Sequence, residues 1–211
     1  MRWFVGSRPH PSEQRHRGLV LAGLCAWLAT VVTGMGVLAG YTNQAGSPAA
    51  PPDSVAALAT FSPHKHRLLM FAHPHCPCTA ASLSELARLM SRCTGIVDAT
   101  VYFYRPENKP ESWVAGNLWN SAAAIPGVQV LVDPQGRTAA QFGSTTSGDV
   151  LLYDPTGQLC FQGGITPGRG HEGDNQGKST VISIVLGDRV NVDRSPVFGC
   201  TLRPASTPCR E

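Results

Sequence analysis

Hydrophobic positions divide the chain into one unbroken apolar block and a longer stretch in which apolar residues recur with changing period. Gly18 to Tyr41, GLVLAGLCAWLATVVTGMGVLAGY, contains no charged residue and is long enough to cross a bilayer core, which takes about 20 helical residues. Thr42 to Ser62 is rich in Pro, Ala, Ser and Gly and reads as a spacer. Beyond it, RLLMFA at 67–72 is a short continuous apolar run, the mark of a strand buried on both faces. Leu83, Leu86, Ala87, Leu89 and Met90 then recur at helical spacing, which predicts an amphipathic helix over Thr79 to Cys93. DATVYFY at 98–104 is a second strand, Pro110 to Ala124 is helix-compatible, and Val128 to Val132 is a third strand ahead of a turn at Asp133 to Gly136. Arg137 to Phe142 reads as a helical turn. Asp149–Tyr153 and Gln158–Gln162, joined by Asp154-Pro-Thr-Gly157, predict a β-hairpin, and Ser179 to Leu186 a closing helix or strand, with helix the better fit. The order βαβαβ(α)ββα makes the chain α/β, with parallel units followed by an antiparallel hairpin on the same sheet.

Composition narrows the picture. With 211 residues, 42% of them hydrophobic and 15% charged, the chain suits one globular core with extensions. The net charge of +3 is matched by Arg2, Arg8, Arg15 and Arg17 against Glu13 in the first 17 residues. The remainder is neutral on balance, which excludes the basic face of a nucleic-acid binder. Arginines precede the apolar block, and no Lys or Arg follows it until Lys65, so the tail stays inside and the domain is exported. The block is also longer than the ~7–15 apolar residues of a cleaved signal. The expected organisation is a cytoplasmic tail at 1–17, a retained signal anchor at 18–41, a linker at 42–62, a domain at 63–190 and a tail at 191–211 with two cysteines. That places the domain on the periplasmic side of the inner membrane. Cys25 lies in the anchor, and Cys76, Cys78, Cys93, Cys160, Cys200 and Cys209 then occupy an oxidising compartment.

The chemistry concentrates in FAHPHCPCTAASLSEL at 71–86, where two cysteines stand one residue apart at a strand-to-helix junction. A thiol reacts as its thiolate, and a helix N-terminus favours negative charge. Proline prefers the first helical position, so Pro77 there makes Cys76 the N-cap and the expected nucleophile. A proton on His73 or His75 would add a second stabilising charge. The partner stays open: Cys78 in a tight ring around proline, or a distant resolving cysteine, for which Cys200 in Val197-Phe-Gly-Cys200 is the candidate. Cys200 and Cys209 bridging each other is a further alternative. Cys93 and Cys160 read as packing residues. Arg169 and His171, in the glycine-rich loop Gly163 to Lys178, are candidate cationic partners or proton donors for the junction. The G-x-G-x-x-G of Gly168, Gly170 and Gly173 lies too late in the fold for a dinucleotide site, since no parallel strand follows it.

Strand order and cysteine placement together resemble the thioredoxin fold. The similarity is most specific over residues 128–164, where VQVLVDPQGRTAAQFGSTTSGDVLLYDPTGQLCFQGG looks like the DPxGxxAxxFG…LxDPxGxL pattern of membrane-anchored TlpA-like and peroxiredoxin-related proteins. With HPHCPCTAASL, RGHEGDNQG and VFGC, it also resembles the RedB-like group; the likeness covers roughly residues 65–190. Two departures stand out. Thr146-Ser147-Gly148-Asp149 replaces the cis-proline that such enzymes set against their cysteines, and His73 stands where peroxidases carry threonine. The resemblance implies a membrane-anchored thiol-disulfide oxidoreductase acting on protein or small-molecule thiols, with no cofactor. The alternatives are a Cu(I) carrier using His73, His75, Cys76 and Cys78 as soft and imidazole ligands, and an inactive thioredoxin-like binding module.

Overall fold

A computed structural model describes residues 11–47, 49–54, 64–188 and 190–202. The chain divides into two units, residues 1–42 and 43–211. In the first, helix α1 (Pro11–Thr42) carries the apolar block, and its segment Arg15–Thr42 is long and apolar enough to span a membrane.

The second unit is built on a five-stranded mixed sheet in the order β3-β2-β1-β4-β5. Strand β1 (His66–Ala72) pairs in parallel with β2 (Val97–Arg105), which pairs in parallel with β3 (Val128–Pro134). On its other side β1 runs antiparallel to β4 (Asp149–Tyr153), which forms a hairpin with β5 (Leu159–Gly164). The central β1 explains its own continuous apolar run. Leu68, Met70 and Ala72 enter one core with Leu83, Leu86 and Leu89 of helix α2 (Pro77–Arg92) and Val181 of α5 (Gln176–Val185). Leu69 and Phe71 enter a second core with Phe142, Leu151 and Tyr153. Both faces are therefore covered, as a parallel sheet requires.

The stretch 110–124 is not one helix. A 3-10 turn at Glu111–Trp113 is separated from α3 (Asn117–Ala123) by Gly116, whose extended backbone breaks the helical run. The Asp133-Pro-Gln-Gly136 turn has a defined purpose. The Asp133 carboxylate accepts from the Thr138 and Ala139 N–H groups at 2.8 and 3.0 Å and so starts α4 (Arg137–Gln141).

Segments whose composition suggests a spacer and a loose tail lie against the sheet wherever they are described. Gly46 N–H donates to Val197 O, Leu159 N–H to Asp53 O, and Tyr153 OH to Pro52 O. Residues 190–202 run beside β5, with Gln162 N–H donating to Asp193 O and Ser195 N–H returning to Gln162 O. Val197, Phe198 and Leu202 are buried. The physical reason is that β5 ends the sheet, and its unpaired backbone groups need partners that composition cannot announce. Residues 55–63 lie outside the described residues.

Candidate functional site: a three-sulfur cluster at the head of helix α2

Helix α2 begins as its sequence dictates. Cys76 is the N-cap in extended conformation and Pro77 takes the first helical position, where no N–H is needed. The β1 to α2 connection is held by Ser147. Its hydroxyl accepts from the His73 N–H at 2.9 Å and shares a hydrogen bond with Thr79 Oγ1 at 3.0 Å. Thr79 Oγ1 also donates to His73 O. Thus Ser147 fastens the junction from within the stretch Thr146-Ser147-Gly148-Asp149, and no cis peptide occurs among the described residues.

The C-terminal segment delivers a third cysteine. It crosses the 145–147 loop as an antiparallel pairing, with Ser147 N–H donating to Cys200 O and Leu202 N–H to Thr145 O, both at 2.8 Å. Gly199 permits the crossing, because a Cβ there would overlap the Ser147 carbonyl oxygen. Cys200 Sγ consequently stands 2.7 Å from Cys76 Sγ. Cys76, Cys78 and Cys200 have their sulfurs within 4.8 Å of one another. Cys76 is 1% exposed, whereas Cys78 and Cys200 are half-buried. The partners facing solution are therefore Cys78 and Cys200, and the expected nucleophile lies beneath them.

Electrostatics separates the three. Burial pushes the Cys76 thiol up, but the Cys200 thiol and the N–H groups of Cys200, Cys78 and Thr79 outweigh it and bring Cys76 below the ordinary thiol value. Burial and the adjacent Cys76 charge raise Cys78, against the pull of Arg169 and the Gly170 N–H. Cys200 is pushed up to about 12 by burial, by its hydrogen bond to Cys76, and by the Cys76 and Cys78 charges. Either sulfur of the close pair has the geometry to hold the shared proton. The amide donors converging on Cys76 place it on Cys200.

The remaining candidates divide. Arg169 reaches the site: its Nη1 donates to Gly199 O at 2.7 Å and its Nε to Gln44 O at 3.1 Å, so it clamps the C-terminal segment while its charge acts on Cys78 and Cys200. His171 stays within its own loop, its Nδ1 bonded to Arg169 O. His73 does not bring the positive charge expected of it. Burial lowers its pKa, the neighbouring His75 lowers it further, and its Nδ1 accepts from the His75 N–H. Its ring stacks on Tyr104 and meets Trp113 edge-on, and His75 Nε2 pairs with Trp113 O at 3.1 Å. Among the described residues, the group able to hold one ion consists of the three cysteines and neither of these histidines. Cys93 is buried in the core, and Cys160 Sγ donates to Leu152 O at 3.2 Å. Cys209 lies outside the described residues.

Two supporting residues escape the apolar pattern. Glu85 sits on the buried face of α2, where its carboxylate accepts from Gly173 N–H at 2.8 Å, Lys178 Nζ at 2.5 Å and Arg88 Nη1. It ties the glycine-rich loop, and with it Arg169, to the helix that carries Cys76. A glutamate flanked by Ser82, Leu86 and Leu89 on one helical face is the visible signal. Ser147 is the other, visible only as a departure from the cis-proline pattern.

Comparison with known proteins places the fold. No family model and no curated protein matches the chain. Among solved structures, a hypothetical protein, SMc02350 from Sinorhizobium meliloti 1021, is 20% identical with a TM-score of 0.54, covering 75% of this chain and 93% of its own. An uncharacterized conserved protein from Geobacillus kaustophilus is 16% identical with a TM-score of 0.56, covering 78% and 94%. A secreted Mycobacterium tuberculosis disulfide oxidoreductase homologous to E. coli DsbE is 14% identical with a TM-score of 0.39, covering 58% and 81%. The mixed five-stranded sheet flanked by helices, with β1, β2 and β3 parallel and the β4–β5 hairpin antiparallel beside β1, has the thioredoxin-like arrangement expected from the sequence, and one helix that is a candidate transmembrane segment precedes it in the chain.

Proposed function

We propose that this protein is a membrane-anchored thiol-disulfide oxidoreductase whose working pair is Cys76 and Cys200. The observation that carries the reading is the 2.7 Å approach of those two sulfurs at the N-terminus of α2. In the oxidising direction, a substrate thiolate attacks the half-buried Cys200 sulfur of a Cys76–Cys200 bond. Cys76 leaves as a thiolate, which its amide donors stabilise, and thiols of lower pKa leave faster. A second substrate thiolate then attacks the substrate sulfur of the mixed disulfide. Cys200 departs and takes a proton, two electrons having passed to the protein and one disulfide to the substrate. The reverse sequence reduces a disulfide. Cys78, half-buried beside both, is a second exchange thiol rather than the principal partner. The helix Pro11–Thr42, with arginines ahead of it, anchors the domain on the outer side of the cytoplasmic membrane.

Peptide mass mapping of the oxidised, alkylated protein tests the pairing. The expected result is a Cys76–Cys200 peptide with Cys78 alkylated. A folded, oxidised protein in which Cys76 and Cys200 are both alkylated overturns it.

A further inference from the structure

The three sulfurs have a second use that exchange chemistry does not require. We propose that the reduced Cys76, Cys78 and Cys200 form an all-sulfur site for one Cu(I) ion. Mutual separations within 4.8 Å mean that a cation at their centre stands at most about 2.8 Å from each sulfur. A metal–thiolate bond is about 2.3 Å, so that upper bound leaves the sulfurs within a small adjustment of ligating distance. The Cys76 to Cys200 side, at 2.7 Å, must open by about 1.3 Å to reach the ~4.0 Å side of a trigonal thiolate site. Two of the ligands sit on one rigid element, the N-cap and first turn of α2, and the third is fixed by the Ser147 pairing and the Arg169 clamp.

Ligand type and number favour Cu(I). Three thiolates are a soft set, and soft sulfur donors select Cu(I) among available metals. Structural zinc takes four ligands, and among the described residues no fourth Cys, His, Asp or Glu joins the group. His73 and His75 are engaged with each other and with Trp113. The outer shell also suits a site with excess negative charge. N–H groups of Cys78, Thr79 and Cys200 face Cys76 Sγ, the Gly170 N–H faces Cys78, and the Arg169 guanidinium lies beside Cys78 and Cys200. Disulfide formation between Cys76 and Cys200 removes two ligands and gives up two electrons and two protons to the oxidising disulfide, so the oxidised protein cannot hold the ion in this way. This last point alone rests on the exchange reading.

The test is anaerobic titration of the full-length reduced protein with Cu(I) in competition with a chromogenic Cu(I) chelator, followed by X-ray absorption at the copper edge. The expected result is one equivalent bound with sulfur-only, three-coordinate geometry. Cys78→Ser and Cys200→Ser should each weaken binding by more than the roughly 10–100-fold typical of losing a supporting contact. His73→Ala, His75→Ala and Cys93→Ser should retain it. Absence of binding to the reduced wild type, unchanged affinity in Cys78→Ser or Cys200→Ser, or nitrogen in the copper shell would each overturn the proposal. Far-ultraviolet circular dichroism of each serine variant separates lost ligation from lost folding. Insulin reduction by the metal-free protein separates failure of this site from failure of the exchange reading.

Discussion

Helix α2 carries a cysteine at each end, and their fates differ although both are buried. Cys76 at the N-cap is 1% exposed and Cys93 at the C-cap is 0% exposed, yet the first is shifted toward the thiolate and the second, by burial, away from it. Water exclusion alone raises both. The difference comes from amide donors and a facing thiol, which exist only at the head of the helix. Cys93 instead packs among Leu89, Met90 and Val97 in the main core. The lesson extends to Glu85 and Asp149, two of the buried carboxylates. Glu85 accepts from Gly173, Lys178 and Arg88 and lies below the usual carboxylate value. Among the described residues neither Asp149 oxygen has a well-formed hydrogen-bond partner, and burial raises that carboxyl to about 6, only partly held back by the nearby Ser144 hydroxyl and Val150 N–H.

Substitution at the two ends of α2 is the most direct way to break the first contrast. Cys76→Ser should reduce thiol-disulfide exchange, measured by insulin reduction, on the order of 10³-fold or more, because the mixed disulfide on Cys200 then loses the thiolate that resolves it. Cys93→Ser should leave the rate within a factor of a few and lower stability instead. Equal rates in the two variants would show that the head of the helix confers nothing special.

The carboxylates offer the next largest effects, of opposite sign. Glu85→Gln leaves Lys178 beside a neutral group, and breaking a buried ion pair costs about 3–5 kcal/mol. The Glu85 pKa is depressed on folding, so its contribution is present above the ordinary carboxylate value and lost as pH falls. Asp149 is the reverse. Its folded pKa near 6 lies above the ordinary 3.8, so stability is greatest below 3.8 and declines as pH rises through about 6. At pH 7 the cost is about 3 kcal/mol. Asp149→Asn should therefore raise stability at pH 7 by up to that amount and flatten its decline from pH 4 to 7. Urea unfolding at a series of pH values checks both variants.

Much of this is legible in the sequence and some of it is not. The run RLLMFA declares a doubly buried strand, the three-and-four spacing from Leu83 to Met90 declares α2, and Pro77 declares the helical start that makes Cys76 an N-cap. These are local signals, fixed by side-chain period and backbone restriction. Cys200 is legible only as one open candidate for the partner of Cys76; what brings it there across 124 positions is backbone hydrogen bonds, and backbone groups are the same in every residue. The docking of 43–47, 49–54 and 190–202 onto β5 and the 145–147 loop is silent for the same reason. His73 shows the converse: its proximity to Cys76 is legible, but its burial between Tyr104 and Trp113, which lowers its pKa, depends on a 3-10 turn brought in from another part of the chain.

The contrast between the ends of α2 is sharpened most gently at Gly199, which touches neither end through its own side chain. A methyl group there meets the Ser147 carbonyl, so Gly199→Ala must lift the C-terminal segment away from the 145–147 loop. Overpacking of this kind costs about 1–3 kcal/mol. The segment is held on both sides of the lesion, by Arg169 at Gly199 O and by buried Leu202, so it should shift rather than detach. Cys200 then recedes from Cys76 while the amide donors of Cys78 and Thr79 stay in place on α2. Two contributions to the Cys76 charge are thereby separated. If the facing thiol matters as much as the helix, iodoacetamide should alkylate reduced Gly199→Ala at Cys76 with a higher apparent pKa, and oxidation should yield less Cys76–Cys200 peptide. If the helix donors suffice, the alkylation profile should match wild type while the disulfide yield alone falls.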